Sequence, residues 1–404
     1  MPAFLTHWRI LIETARHSQD AGSDLGSLII DTTALRRRAH GWSTPPPTSA
    51  AGAVWDTGPL PEIDFRFPGS DISAMAFLGA LAPDIFYYHR RSFPKSLPRR
   101  SPSQIKTRSK DPLLWSDLFH TSHTGDLPIM FLEQVALVPS PALRSQALAF
   151  ALGYLSHIAA DLALNPWIDK LAPHLFPHRA SAHFLFELRL DEYLATTYFD
   201  HPRYSLFHQP WGEYIEPAAR SLSRTGALAA QLLHLLAGAA EIYRLGEAQT
   251  EALPHDFLQA LQGLRNFLAG RGQARWLVRI AVPKKEPQDL ANQFLESVLE
   301  SEEMLQPEQV LNYATRLSEH FCRRAISYYT ALRNPNAEAS ERSSRRAELR
   351  GALRNWNLLT GYATPETVDE QTSTLPHNWI YFADFWEKDE RGLSQAGQHM
   401  LPTS

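Results

Sequence analysis

The residues best suited to chemistry lie between Ala149 and Glu192, where AFALGYLSHIAADLALNPWID is followed by HRASAHFLFELRLDEYL. His157 and Asp161 are four apart, and so are His183 and Glu187. At about 3.6 residues per turn each pair shares one helical face, one turn apart, so each of two helices offers an imidazole and a carboxylate in a single direction. Burying an unpaired carboxylate or imidazole in so apolar a setting is costly. A divalent metal held by the four donors would compensate that cost, and ordinary His–carboxylate hydrogen bonds across the helix interface would do so too. The single cysteine, Cys322, rules out an intrachain disulfide framework and a thiolate metal cluster, so metal chemistry would have to use His, Asp and Glu.

Bringing four donors into one cleft requires two helices that fold back on each other. Between the pairs, PWIDKLAPHLFPH carries prolines at 166, 173 and 177, which predicts that the first helix ends there and the second returns antiparallel. Elsewhere Leu/Ala-rich stretches at helical spacing are common and β-branched alternation is scarce, and with 29 Pro and 20 Gly this predicts an all-α fold punctuated by Pro-rich loops. Helices are expected over about 5–18, 70–82, 112–137, 141–164, 178–199, 216–246, 254–270, 287–300, 307–332 and 339–356. Gly41 to Gly58, with three consecutive prolines, reads as a loop or lid. The expected division is a core over 1–205 and a helical extension over 206–404, packed on or next to it.

A chain of 404 residues that is 44% hydrophobic and 20% charged, with a formal net charge of -4, excludes global disorder and a fibre. The most apolar segment, Ala147 to Leu164, contains Ser156, His157 and Asp161, which suits a buried core helix better than a membrane span. No transmembrane segment is expected. The opening MPAFLTHWRILIETARHSQD lacks a basic region followed by an uninterrupted apolar run. No signal peptide is read there, and a cytoplasmic location is expected, with export by a signal-independent route left open.

Three further polar residues stand in apolar surroundings: His7 in MPAFLTHWRI, Asp84 in FLGALAPDIFYY and His120 in LLWSDLFHTSHTGDL. Taken in order, MPAFLTH, LGALAPD, DLFHTSHTGD, GYLSHIAAD and HFLFE followed by LDEY resemble the zinc-dependent phospholipase C family of bacteria, which is similar in fold to the trinuclear-zinc single-strand nucleases. The resemblance covers roughly residues 1–200. It implies that His7 binds one zinc, that Asp84, His120, His157 and Asp161 hold a second with Asp161 bridging, and that His183 and Glu187 serve a third. His123 is the alternative to His120. Two departures stand out. Asn165 occupies the helical face of His157 and Asp161 where the family carries a histidine, and amides are poor zinc ligands, so two or three zinc ions are expected, the third in doubt. The chain also begins Met1-Pro2, where secreted members use a terminal tryptophan.

The activity implied is hydrolysis of the glycerol-side phosphodiester of a phospholipid by metal-bound hydroxide, because clustered divalent ions neutralise the anionic ester and lower the pKa of bound water towards about 7. Asp84, after Pro83 at a helix end, is expected to act as general base as well as ligand. Asp117, Asp126 and Asp191 are candidates to orient the imidazoles. Arg90 to Lys110 carries eight basic and no acidic residues, so the other residues sum to -12. Such a run is a solvated loop or an anion patch that could meet an anionic membrane peripherally, and nucleic acid would feel the same field. A nuclease or nucleotidase using the same site is the nearest rival function, and a catalytically weakened metal-binding or interaction module is another. Glu338 to Arg354 reads as a solvated helical face, and the aromatics from Trp356 to Trp386 as a docked C-terminus or a lipid-facing surface.

Overall fold

A computed structural model describes residues 4–20, 71–89, 113–175, 182–198, 247–268, 306–359 and 361–363, together with most positions between 232 and 243. The lid candidate Gly41–Gly58, the basic run Arg90–Lys110, the helix expected at 287–300 and the aromatics Trp379, Tyr381, Phe382, Phe385 and Trp386 lie outside these residues. Among the described residues the fold is all-α apart from one two-residue strand pair. The helices are α1 (Phe4–Asp20), α2 (Asp71–Ile85, running into a 3-10 turn Phe86–Tyr88), α3 (Leu113–Thr121), α4 (Asp126–Ala136), α5 (Pro141–Leu175), α6 (Ala182–Thr197), α7 (Glu247–Leu268), α8 (Pro307–Arg333) and α9 (Ala339–Leu353). Strands β1 (Trp356–Asn357) and β2 (Tyr362–Ala363) pair antiparallel after α9.

Helix α5 is the axis. It is long and apolar enough to cross a membrane by composition, yet its most apolar 18-residue window is wholly buried inside the fold, as expected of a helix that is hydrophobic all round and packed on every side. Helices α2 and α8 make the most extensive contacts with it, and α1, α4 and α6 pack around the same core. In α8 the apolar residues Val310, Leu311, Ala314, Leu317, Phe321, Cys322 and Ala325 are buried while Arg316 and Arg323 are exposed, the one-sided stripe that docks a surface helix. Its start is set by Pro307 in the first turn and by Gln309 Oε1, which accepts the Gln306 N–H at 2.8 Å.

Two glycines determine how closely α2 approaches α5. A Cβ at Gly79 would lie 2.1 Å from the Phe150 carbonyl oxygen, and one at Gly153 would lie 2.0 Å from the Ala76 carbonyl oxygen. The two backbones are therefore in contact, which carries Ala80 of α2 against His157 of α5.

Two sequence expectations are corrected. Pro166 and Pro173 do not end α5, which continues to Leu175. A proline inside a helix costs about 3 kcal/mol, but burying a large apolar side chain stabilises by about 1.5–3 kcal/mol, and Trp167, Ile168 and Leu171 are all buried in that final stretch. The return to α6 is still antiparallel in its contacts, since Asp169 meets His183 and Trp167 meets Phe186. The helix expected over 112–137 is two helices, broken where His123 takes a positive φ of 52° ahead of Gly125. The segment TSHTG competes with helix through its short polar side chains and its glycine.

Gly153→Ala is expected to lower unfolding free energy by about 1–3 kcal/mol through overpacking against the α2 backbone. Gly351→Ala in α9, where an added Cβ meets nothing within 4 Å, should leave stability unchanged or raise it by about 0.5–1 kcal/mol. Chemical denaturation of the two variants checks the contrast, and equal effects would remove the backbone-contact argument.

Candidate metal centre

Four helices deliver five polar side chains to one buried point beside α5. His7 comes from the second turn of α1, Asp84 from the last turn of α2, His120 from the last turn of α3, and His157 and Asp161 from successive turns of α5. All five are less than a tenth exposed. Their surroundings are apolar, so the charges must be answered by one another or by a cation.

The spacing fits a shared cation. His120 Nε2 lies 3.2 Å from His157 Nε2, 3.3 Å from Asp84 Oδ1 and 3.3 Å from Asp161 Oδ2, and His157 Nε2 lies 3.4 Å from Asp161 Oδ2. Two donors each about 2.0–2.1 Å from one tetrahedral zinc lie about 3.3 Å apart. Both carboxylates also reach towards His7, whose Nε2 is 3.6 Å from Asp161 Oδ1 and 3.7 Å from Asp84 Oδ2. Two overlapping sets could hold an ion: His120, His157 and Asp161 on one side, and His7, Asp84 and His157 on the other. His7 Nδ1 is buried and has no hydrogen-bond partner among the described residues, so that ring has a nitrogen left over for a ligand.

The imidazoles are oriented from behind by backbone. His120 Nδ1 is 2.6 Å from the Ser116 carbonyl oxygen and His157 Nδ1 is 3.0 Å from that of Ala80. Each Nδ1–H donates to its carbonyl, which turns both Nε2 atoms inward. Two neutral rings would then oppose their lone pairs at 3.2 Å. A proton or a metal must sit between them. In the metal-free protein it is a proton: burial by itself pulls His120 down, but the hydrogen bonds with Asp161 and Asp84 outweigh it and raise the ring to about 10. Burial likewise pushes Asp84 up, and the His120 hydrogen bond and the charges of His157 and His120 overcome that to hold it at about 2. His7 goes the other way, lowered to about 4 chiefly by burial and then by His157, and is neutral at physiological pH. Carboxylate oxygens and imidazole nitrogens are donors that zinc accepts, so the residues fit that ion.

His183 and Glu187 form a separate, less buried pair, with His183 Nε2 3.2 Å from Glu187 Oε1. The other ring nitrogen, Nδ1, is 2.5 Å from Asp169 Oδ1, an arrangement in which a carboxylate fixes the tautomer of a metal-ligating histidine. Asp169 went unnoticed in the sequence, although it lies eight residues after Asp161 and so continues the stripe of His157, Asp161 and Asn165. Of the proposed orienting acids, Asp126 instead pairs with His123 Nδ1 at 3.1 Å. Asp191 accepts from the Thr6 N–H and hydroxyl, both at 3.1 Å, and thereby holds the turn that carries His7. Burial pushes Asp191 well above the usual carboxylate range. For Asp117 the described bond is its carbonyl accepting from Thr121 Oγ1. His123, the alternative to His120, faces Asp126 and the Tyr243 ring. The carbonyls of Ser116 and Ala80 leave no side-chain signature, so sequence could not name them.

Because His120 is protonated below about 10 without metal, zinc must displace that proton. Titration calorimetry of the metal-free protein near neutral pH, in buffers of different ionisation enthalpy, should show about one proton released per chain from His120, with affinity falling as pH falls. Binding without proton release would mean that the His120 ring is already neutral in the metal-free protein.

No curated protein and no solved structure matches the chain. Residues 60–228, which include Asp84, His120, His157, Asp161, His183 and Glu187, match the family described as zinc dependent phospholipase C.

Proposed function

We propose that the protein is a zinc-dependent phosphoesterase of the phospholipase C type, which cleaves the glycerol-side phosphodiester of a phospholipid. The observation that carries this reading is the buried quartet of His120, His157, Asp84 and Asp161 at ligand-to-ligand spacing. His120, His157, Asp84 and Asp161 would hold one ion. His7 would hold a second with both carboxylates reaching across, and His183 and Glu187 a third. Bound zinc supplies Lewis acidity that neutralises the anionic ester and lowers the pKa of water towards about 7.

The chain's own residues do the rest. Asp84 sits on the last turn of its helix, where its carboxylate can reach an attacking water and take its proton. The Ser116 and Ala80 carbonyls keep the His120 and His157 rings in the tautomer whose Nε2 points to the centre. The apolar helices around them exclude bulk water and so strengthen every charge interaction inside. Anionic lipid would be attracted by the basic run Arg90–Lys110.

Elemental mass spectrometry of protein purified without chelator should find two or three zinc ions per chain, together with chelator-sensitive release of phosphorylated headgroup from phosphatidylcholine. Activity confined to a generic phosphodiester or to single-stranded nucleic acid would move the substrate elsewhere, and absence of bound metal would end the enzyme reading. Asp84→Asn should cut kcat by about 10²–10⁴-fold, the range of a general base.

A further inference from the structure

The metal centre extends beyond the family-matched span, because a short segment after α9 ties two of its walls together. Asn165 lies on α5 one turn after Asp161, is only 2% exposed, and donates its Nδ2–H to the Leu358 carbonyl at 2.8 Å. The Leu358 N–H in turn donates to the His120 carbonyl at 2.7 Å. That carbonyl lies in the last turn of α3, where helix carbonyls lack partners within the helix. The bridge therefore runs from the α5 stripe that carries His157 and Asp161, through Leu358, to the backbone of His120.

The rest of the segment is fastened to the same turn. Thr124 Oγ1 donates to the Trp356 carbonyl at 2.6 Å, and Asn355 Oδ1 accepts the N–H groups of Gly125 and Asp126 at 3.1 and 3.2 Å. Trp356 and Leu358 are fully buried. The approach is so close that a Cβ at Gly125 would lie 1.6 Å from the Arg354 carbonyl oxygen, and Arg354 itself takes a positive φ of 39°. A loop laid passively on the surface would need neither the missing side chain nor the unfavourable backbone conformation.

We infer that Asn165 is a positioning residue rather than a lost metal ligand: acting through Leu358, it holds His120 at its distance from His157 and Asp161. The inference rests on the reading of His120, His157 and Asp161 as metal ligands. The amide donor is committed to a backbone carbonyl, a role an imidazole of different length and angle fills poorly.

The test uses the full chain loaded with zinc or with cobalt(II), whose visible absorption reports ligand geometry. Asn165→Leu keeps the branched shape and removes the donor, and it should weaken zinc binding about 10–100-fold, the usual cost of losing a group that orients a ligand, with an altered cobalt spectrum at unchanged stoichiometry. Asn355→Ala, which releases the segment without touching α5, should shift the same spectrum and keeps the test decisive if Asn165→Leu fails to fold. Asn165→His should bind no additional ion. Wild-type-like affinity and spectrum in both Asn165→Leu and Asn355→Ala, or a gained zinc in Asn165→His, would overturn the inference while leaving the metal reading intact. A wild-type protein that binds no zinc would overturn both.

Discussion

Two ionised carboxylates, Asp84 and Asp161, sit in a mostly apolar helical core, and the architecture around them is organised by the need to answer that charge. Burial pushes both carboxyls towards protonation, and imidazole hydrogen bonds and charges more than reverse it. Leaving either charge unpaired would cost more than most single interactions in a protein return. The five polar groups therefore stand or fall together. Such a cluster is marginal as a source of stability and well suited to holding a cation, since its donors already stand at the spacing of ligands to one ion.

That cluster exists only because the helices around it approach at set distances. The α2–α5 contact through Gly79 and Gly153 brings a main-chain carbonyl to His157, and Asp191 of α6 holds the turn of α1 that carries His7. Arg9, two residues after His7, is paired with Glu308 at the start of α8, and Tyr193 of α6 donates to the same carboxylate. Helix α8 lies outside the family-matched residues, yet it fixes α1 from one side, as the Asn355–Leu358 segment fixes α3 from another.

The lone thiol takes no part. Cys322 is buried against α5, where burial pushes it up to about 12, and a protonated thiol is a poor nucleophile and a poor ligand.

Helical class and the His157–Asp161 and His183–Glu187 pairs were legible in the sequence, because periodicity and i,i+4 spacing are properties of a local stretch of chain. His7, Asp84 and His120 could be suspected from their isolation in apolar runs, but their convergence depends on contacts between segments far apart in sequence. The extent of α5 past Pro166 was decided by burial of Trp167 and its neighbours, which outweighs a local rule. The Ala80 carbonyl behind His157 and the Asn165–Leu358–His120 bridge were decided by tertiary structure alone. Backbone carbonyls carry no residue code, and a hydrogen bond spanning 193 residues is set by where packing places its two ends. The sequence by itself determined which groups have to be buried in pairs; only the folded arrangement decided which of them share a common centre.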